Sequence, residues 1–123
     1  MIKILLILIV TLTTIAQNSN EKKHIDTNDI SYVEIVKVNF SDPTKSLTKK
    51  MSERQYVDFV QKWNTSKSLG ADKYKMKYYV YLFLKNGTKR QFTISGTKIQ
   101  EEHWLTFDIG DKLYFDNIWA AIK

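Results

Sequence analysis

The spacing of apolar side chains changes several times along this chain, and each change predicts an element. Between Met51 and Trp63 the period is helical: Tyr56, Phe59, Val60 and Trp63 recur at i, i+3, i+4 and i+7. Ser52 followed by Gln55 is a capping box, and Met51 and Tyr56 occupy the two positions of a hydrophobic staple. Together they predict a helix from Glu53 to Asn64 or Ser66. Leu69-Gly70 is expected to close it, since glycine is free to take the left-handed conformation that follows many helices.

Elsewhere the period is two. Ile30 to Phe40 is rich in β-branched and aromatic residues, and its second half alternates, with Val36, Val38 and Phe40 on one face and Lys37 and Asn39 on the other. Pro43 lacks the N–H that a ladder needs and ends the strand. Tyr74–Leu84 and Arg90–Ile94 flank Asn86-Gly87, a strong hairpin signal. A two-residue turn sets Leu84 against Lys89 and Leu82 against Gln91. A three-residue loop, Lys85-Asn86-Gly87, sets Leu84 against Thr88, Val80 against Phe92 and Tyr78 against Ile94, which mostly places apolar on apolar. The second register is expected, with Gly87 in a left-handed bulge position.

One or two further strands are expected between Thr97 and Phe107. A short C-terminal helix, capped near Asp111, follows from the spacing of Phe115, Ile118, Trp119 and Ile122. The order β-α-β-β-β-α predicts an α+β domain: a mainly antiparallel sheet of about four strands, an amphipathic helix packed on one face, and the short helix at the end.

The first residues follow neither period. Lys3 precedes an unbroken apolar run, Ile4–Val10, and Thr11–Ala16 is rich in small residues, the arrangement of a signal peptide cleaved after Ala16. The run falls short of the roughly 20 residues a bilayer span needs, so no transmembrane helix is expected in the mature protein. Gln17–Asp29 is polar, aperiodic and holds one aliphatic residue, Ile25, so it reads as a mobile leader to a single domain over residues 30–123.

Composition narrows the class. There is no cysteine, which excludes disulfides, thiolate metal sites, a cysteine nucleophile and the lipid-bearing cysteine of a bacterial lipoprotein. An exported domain without disulfides fits the bacterial envelope, periplasmic or extracellular, and must be held by packing alone. The net charge of +6 favours anionic partners. Its lysines are scattered, however, and form none of the dense basic blocks that mark nucleic-acid binding.

Candidate chemistry is sparse. His24 lies in the leader, and His103 follows Glu101-Glu102, whose side chains alternate in direction along a strand and do not converge. Asp108, Asp111 and Asp116 surround a glycine turn but lack the EF-hand spacing and its closing glutamate, so turn and cap chemistry accounts for them and no metal or other cofactor is expected. No nucleophile elbow, phosphate loop or dinucleotide fingerprint is present.

The one feature that exceeds the needs of a core is Lys73–Phe83. Tyr74, Met76, Tyr78, Val80, Leu82 and Leu84 form one apolar face, while the odd positions run Lys73, Lys75, Lys77 and then Tyr79, Tyr81, Phe83. A sheet covered on both sides absorbs the second face. A sheet covered on one side exposes an aromatic strip beside a lysine row, suited to stacking on sugars or bases or to docking a protein or an anionic envelope partner. Lys75, Lys77, Tyr79, Tyr81 and Phe83 are the candidate binding residues of a small exported non-catalytic module of recognition, inhibitor or immunity type. The competing expectation is a small hydrolytic or carbohydrate-modifying enzyme working through carboxylates converging in a pocket. The leader reading carries its own test: N-terminal sequencing of the protein from the envelope of its host should find Gln17, or a residue close to it, first. Recovery with Met1 intact from the cytosol contradicts it.

Overall fold

The computed structural model describes residues 22–71, 76–101 and 105–122. The expected signal peptide and the start of the leader lie outside them, as do Lys73, Lys75, Glu102 and His103. Seven strands, β1 (Ile30–Lys37), β2 (Leu47–Lys50), β3 (Lys67–Ala71), β4 (Tyr78–Leu84), β5 (Lys89–Ser95), β6 (Lys98–Glu101) and β7 (Leu105–Asp108), form one antiparallel sheet. Its order is β2-β1-β4-β5-β6-β7-β3. Among the described residues two α-helices, α1 (Glu53–Thr65) and α2 (Tyr114–Ala121), complete an α+β fold.

The sheet is larger than the four strands expected: residues 97–108 hold two strands, β6 and β7, and the edge strands β2 and β3 come in addition. β2 reads Leu-Thr-Lys-Lys and leaves Leu47 61% exposed, so it carries no apolar alternation to detect. β3 carries Gly70 in a bulge against β7, at φ +74°. That glycine is therefore not the stop of α1. The helix ends one turn earlier, at Ser66, whose N–H and hydroxyl both donate to the carbonyl of Trp63. β1 also ends sooner than expected, at Lys37. Its buried side chains are Ile30, Val33 and Ile35 rather than the Val36–Phe40 set, and the chain turns beyond Val38, where Asn39 Oδ1 accepts the N–H groups of Ser41 and Asp42. Phe40 is left 50% exposed.

The local signals of α1 hold in full. Ser52 Oγ accepts from the Gln55 N–H while Gln55 Oε1 accepts from the Ser52 N–H, and Met51 is buried at the staple. Because α1 leaves one edge strand and returns to the other, it crosses the whole sheet on a single face. There Trp63 meets Phe92 and Phe107 edge-on, both at 5.0 Å, and Phe59 meets Phe92 at 5.5 Å and Phe115 of α2 at 5.9 Å. Val33, Ile35, Val80, Leu82, Ile94 and Ile99 complete the core beneath these rings.

The sequence pattern starts the domain at Ile30, but packing begins earlier. Residues 22–29 form a strap, and Ile25 is buried in the core. Asn64 bonds both the N–H and the carbonyl of Ile25, at 2.9 Å each; the Trp63 indole donates to the Lys23 carbonyl; and Lys22 Nζ donates to Ser66 O. Polar composition hid the strap, because beyond Ile25 and Lys22 its contacts run from side chains elsewhere to its backbone.

The hairpin has the expected register: Val80 pairs with Phe92, Tyr78 with Ile94, and Leu84 N–H bonds to Thr88 O. Gly87 sits at φ +88°, where an added Cβ meets nothing within 4 Å, so substitution there isolates backbone strain from crowding. Gly87→Val should cost roughly 1 kcal/mol or more in denaturant unfolding. An unchanged midpoint contradicts the left-handed turn.

Candidate binding face of the sheet

Both helices pack on one side of the sheet, and β4 divides its side chains accordingly. Tyr78, Val80 and Leu82 are buried toward the helices, while Tyr79, Tyr81 and Phe83 project to the opposite side and are half-buried. The rings are neither core nor bare. Tyr32 of β1, directly opposite Phe83 in the ladder, stacks on it with centroids 4.3 Å apart and planes 14° apart. Tyr79 and Tyr81 stack along their own strand at 5.8 Å. Lys50 Nζ lies 5.0 Å from the centre of the Tyr32 ring and Lys89 Nζ 4.7 Å from that of Tyr81. Each stacked pair thus has one ring that also carries an ammonium group, Tyr32 with Lys50 and Tyr81 with Lys89. Burial, with Tyr79 alongside, pushes the Tyr81 hydroxyl above its ordinary value.

Around the rings the ladder places Thr48, Glu34, Gln91, Thr93 and Gln100 on the same side, a polar margin of hydrogen-bonding side chains. Sequence reasoning named Tyr79, Tyr81 and Phe83 but missed Tyr32, Lys50 and Lys89. Alternation in β1 marks the parity of Tyr32, but its meeting with Phe83 depends on a pairing across many residues that no local signal encodes.

The expected lysine row does not form alongside them. Lys75 lies outside the described residues. Lys77 is drawn off the face by Asp116 of α2, whose Oδ1 it meets at 2.8 Å, and the Tyr78 hydroxyl donates to the same oxygen at 2.6 Å. Hydrogen bonds from Lys77 and Tyr78, with Lys37 also near, hold the Asp116 carboxyl below its usual range. Burial first, and then this bond, push the Tyr78 hydroxyl up, and burial together with Asp58 does the same to Tyr114. Asp108 and Asp111 accept the N–H groups of Gly110 and Leu113, which is turn chemistry.

The helix side offers a shallow depression of about 330 Å³ between the strap and α1, lined by His24, Asp26, Val57, Gln61 and Asn64 among others. Two of its polar side chains are engaged in building the strap: Asp26 Oδ1 accepts from the Asn28 N–H, and Asn64 holds Ile25. Nearby, Arg90 forms a two-pronged ion pair with Glu101 at 2.6 and 2.7 Å, and its guanidinium also donates to the carbonyls of Lys23 and His24. Among the described residues no three His, Cys, Asp or Glu side chains come together in a way that suits a metal ion, and no helix is long and apolar enough to cross a membrane.

Comparison with protein-family models, curated proteins and solved structures finds no match to this chain.

The Asp116 contacts set a pH dependence. A carboxyl whose value falls on folding contributes stability that is complete above the unfolded value, roughly 3.9 for aspartate, and is lost as pH drops through the lowered folded one. Asp116→Asn should therefore reduce Tm relative to the parent at pH 6, and the difference should close as both are titrated below about pH 4. A gap that stays constant through the acid range contradicts this account.

Proposed function

We propose that this chain is an exported, non-catalytic binding module that acts through the face of its sheet opposite the helices, in the class of envelope recognition, inhibitor or immunity-type proteins. The observation that carries the reading is the aromatic block Tyr32, Phe83, Tyr79 and Tyr81, held in fixed stacking on a side to which neither helix contributes cover. Rings fixed in this way lose little conformational freedom on binding, which is what makes tyrosine-rich surfaces effective in recognition. The cysteine-free composition and the leader-like first sixteen residues support a periplasmic or extracellular location without a lipid anchor. The partner is a protein or an anionic envelope component.

The enzymatic reading finds less to stand on. The depression beside α1 is shallow, and two of its polar side chains, Asn64 and Asp26, are engaged in holding and turning the strap.

The double substitution Tyr79→Ser/Tyr81→Ser tests the binding reading. Because both rings are only half-buried, it should lower stability by about 1–2 kcal/mol rather than the several kcal/mol that two core rings cost. A pull-down from envelope extract with the parent domain should retain a species that the variant does not. Unfolding of the variant, or equal retention by both proteins, removes the sheet face from consideration.

A further inference from the structure

We infer that the groove under the strap is a peptide-recognition site with the strap as its tethered ligand, which can be unseated and replaced in trans by a peptide of the same sequence. Lys22–Ile25 belongs to no strand, and its main chain is held by side chains of other elements. Asn64 accepts the Ile25 N–H on its Oδ1 and donates its own amide to the Ile25 carbonyl, both at 2.9 Å. In an antiparallel ladder a partner residue exchanges the same two bonds with its opposite number, so one side chain here does what a strand does elsewhere. The Trp63 indole adds a bond to the Lys23 carbonyl at 2.7 Å, and Arg90 donates to the carbonyls of Lys23 and His24 at 2.9 and 3.1 Å. Bonds of this kind hold a main chain whatever side chains it carries.

Two positions are read by side chain. Ile25 is buried in the core, where a polar residue would be left without partners. Lys22 Nζ donates to the carbonyl and the hydroxyl of Ser66 at 2.8 and 3.3 Å and lies 5.2 Å from the centre of the Phe107 ring. Ser66 is the C-cap of α1, so the ammonium group sits at the negative end of the helix dipole, which favours a cation. Lys23 and His24, between these two positions, are exposed. The groove thus selects an extended segment with a lysine three residues before a branched aliphatic residue, the segment this chain already carries. Each receptor group is fixed by a contact the strap does not make: Trp63 by Phe92 and Phe107, Asn64 by its place in α1, Arg90 by Glu101. The strap, by contrast, has a single core anchor, and the depression beside it leaves Val57 43% exposed. Past Asp26 the chain turns through Thr27–Asp29, whose far end is fixed by the bond from the Lys85 N–H to the Asp29 carbonyl. Unseating therefore frees residues 22–26 and leaves β1 in its ladder. The groove lies on the helix side, so its occupation is independent of the aromatic face.

The test uses the full chain carrying Ile25→Ser, which unseats the strap, and a peptide of residues 22–29 acetylated and amidated at its ends. The variant should melt below the parent, and added peptide should raise its Tm progressively, while the parent, filled in cis, does not respond. The same peptide with Ile25→Ser should have no effect. Lys22→Gln in the peptide should weaken binding about two- to fivefold, and Lys23→Gln should leave it unchanged. A second chain keeps Ile25 and carries a protease site inserted between Thr27 and Asn28, so that the domain folds before the strap is cut loose. After cutting, a fluorescently labelled 22–29 peptide should replace the strap. In this cut chain Asn64→Asp keeps the acceptor but loses the donor to the Ile25 carbonyl, and should weaken the labelled peptide roughly tenfold. Should Ile25→Ser not fold, the cut chain decides: failure of the label to enter it overturns the proposal. So does a Tm of folded Ile25→Ser equal to that of the parent, equal response of parent and variant to the peptide, or equal binding of the peptides with and without Ile25.

Discussion

One side chain ties the parts of this fold together. Trp63 fills the centre of the core with its ring, edge-on to Phe92 and Phe107, and places its indole N–H on the carbonyl of Lys23 at 2.7 Å. A buried indole N–H without an acceptor costs on the order of 1–3 kcal/mol, so the position that cements helix to sheet also requires the strap to be present. Asn64 and Ser66, next along the same turn, hold Ile25 and Lys22 in turn. Core, helix terminus and strap are a single cooperative unit, which is how a chain without cysteine closes its N-terminal side.

With the helices and strap gathered on one face, the other face poses a physical problem: a central strand carrying Tyr79, Tyr81 and Phe83 toward the solvent side. The solution lies between the two alternatives the sequence allows. Among the described residues no second layer of helix covers the rings, and they do not stand free either. They stack on each other and on Tyr32, and lysine ammonium groups lie against Tyr32 and Tyr81. Apolar ring area is removed from water while the hydroxyls and ammonium groups stay in it, the same division of labour by which long amphipathic side chains shelter apolar surface.

What the sequence conveys is what neighbouring residues settle among themselves. The helix Glu53–Thr65 was legible because its capping box and staple lie within six residues, and the hairpin because Asn86-Gly87 and the parity of its flanks fix the register. The edge strands were not legible. β2 and β3 owe their existence to partners that complete them, β1 and β7, and neither needs an apolar face of its own. The candidate site divides along the same line. Parity exposed Tyr79, Tyr81 and Phe83, whereas Tyr32 and Lys50 arrive through pairings distant in sequence, and Lys77 leaves the face because α2 brings Asp116 beside it. The strap was misread for a related reason: composition describes what a segment offers, and this one is held by what other segments donate to it.

That manner of holding has a temporal side. The carbonyls of Lys23 and His24 are gripped by Arg90, which is itself fixed by Glu101, so the receptor for the first packed segment is assembled from residues synthesised long after it. Contacts with such separation form late, once loop-closure entropy has been offset by the surrounding structure. The strap is thus made first and seated last. Until the sixth strand exists, α1 can offer the strap Trp63, Asn64 and Ser66, but the Arg90–Glu101 pair that grips its backbone from the sheet side is incomplete.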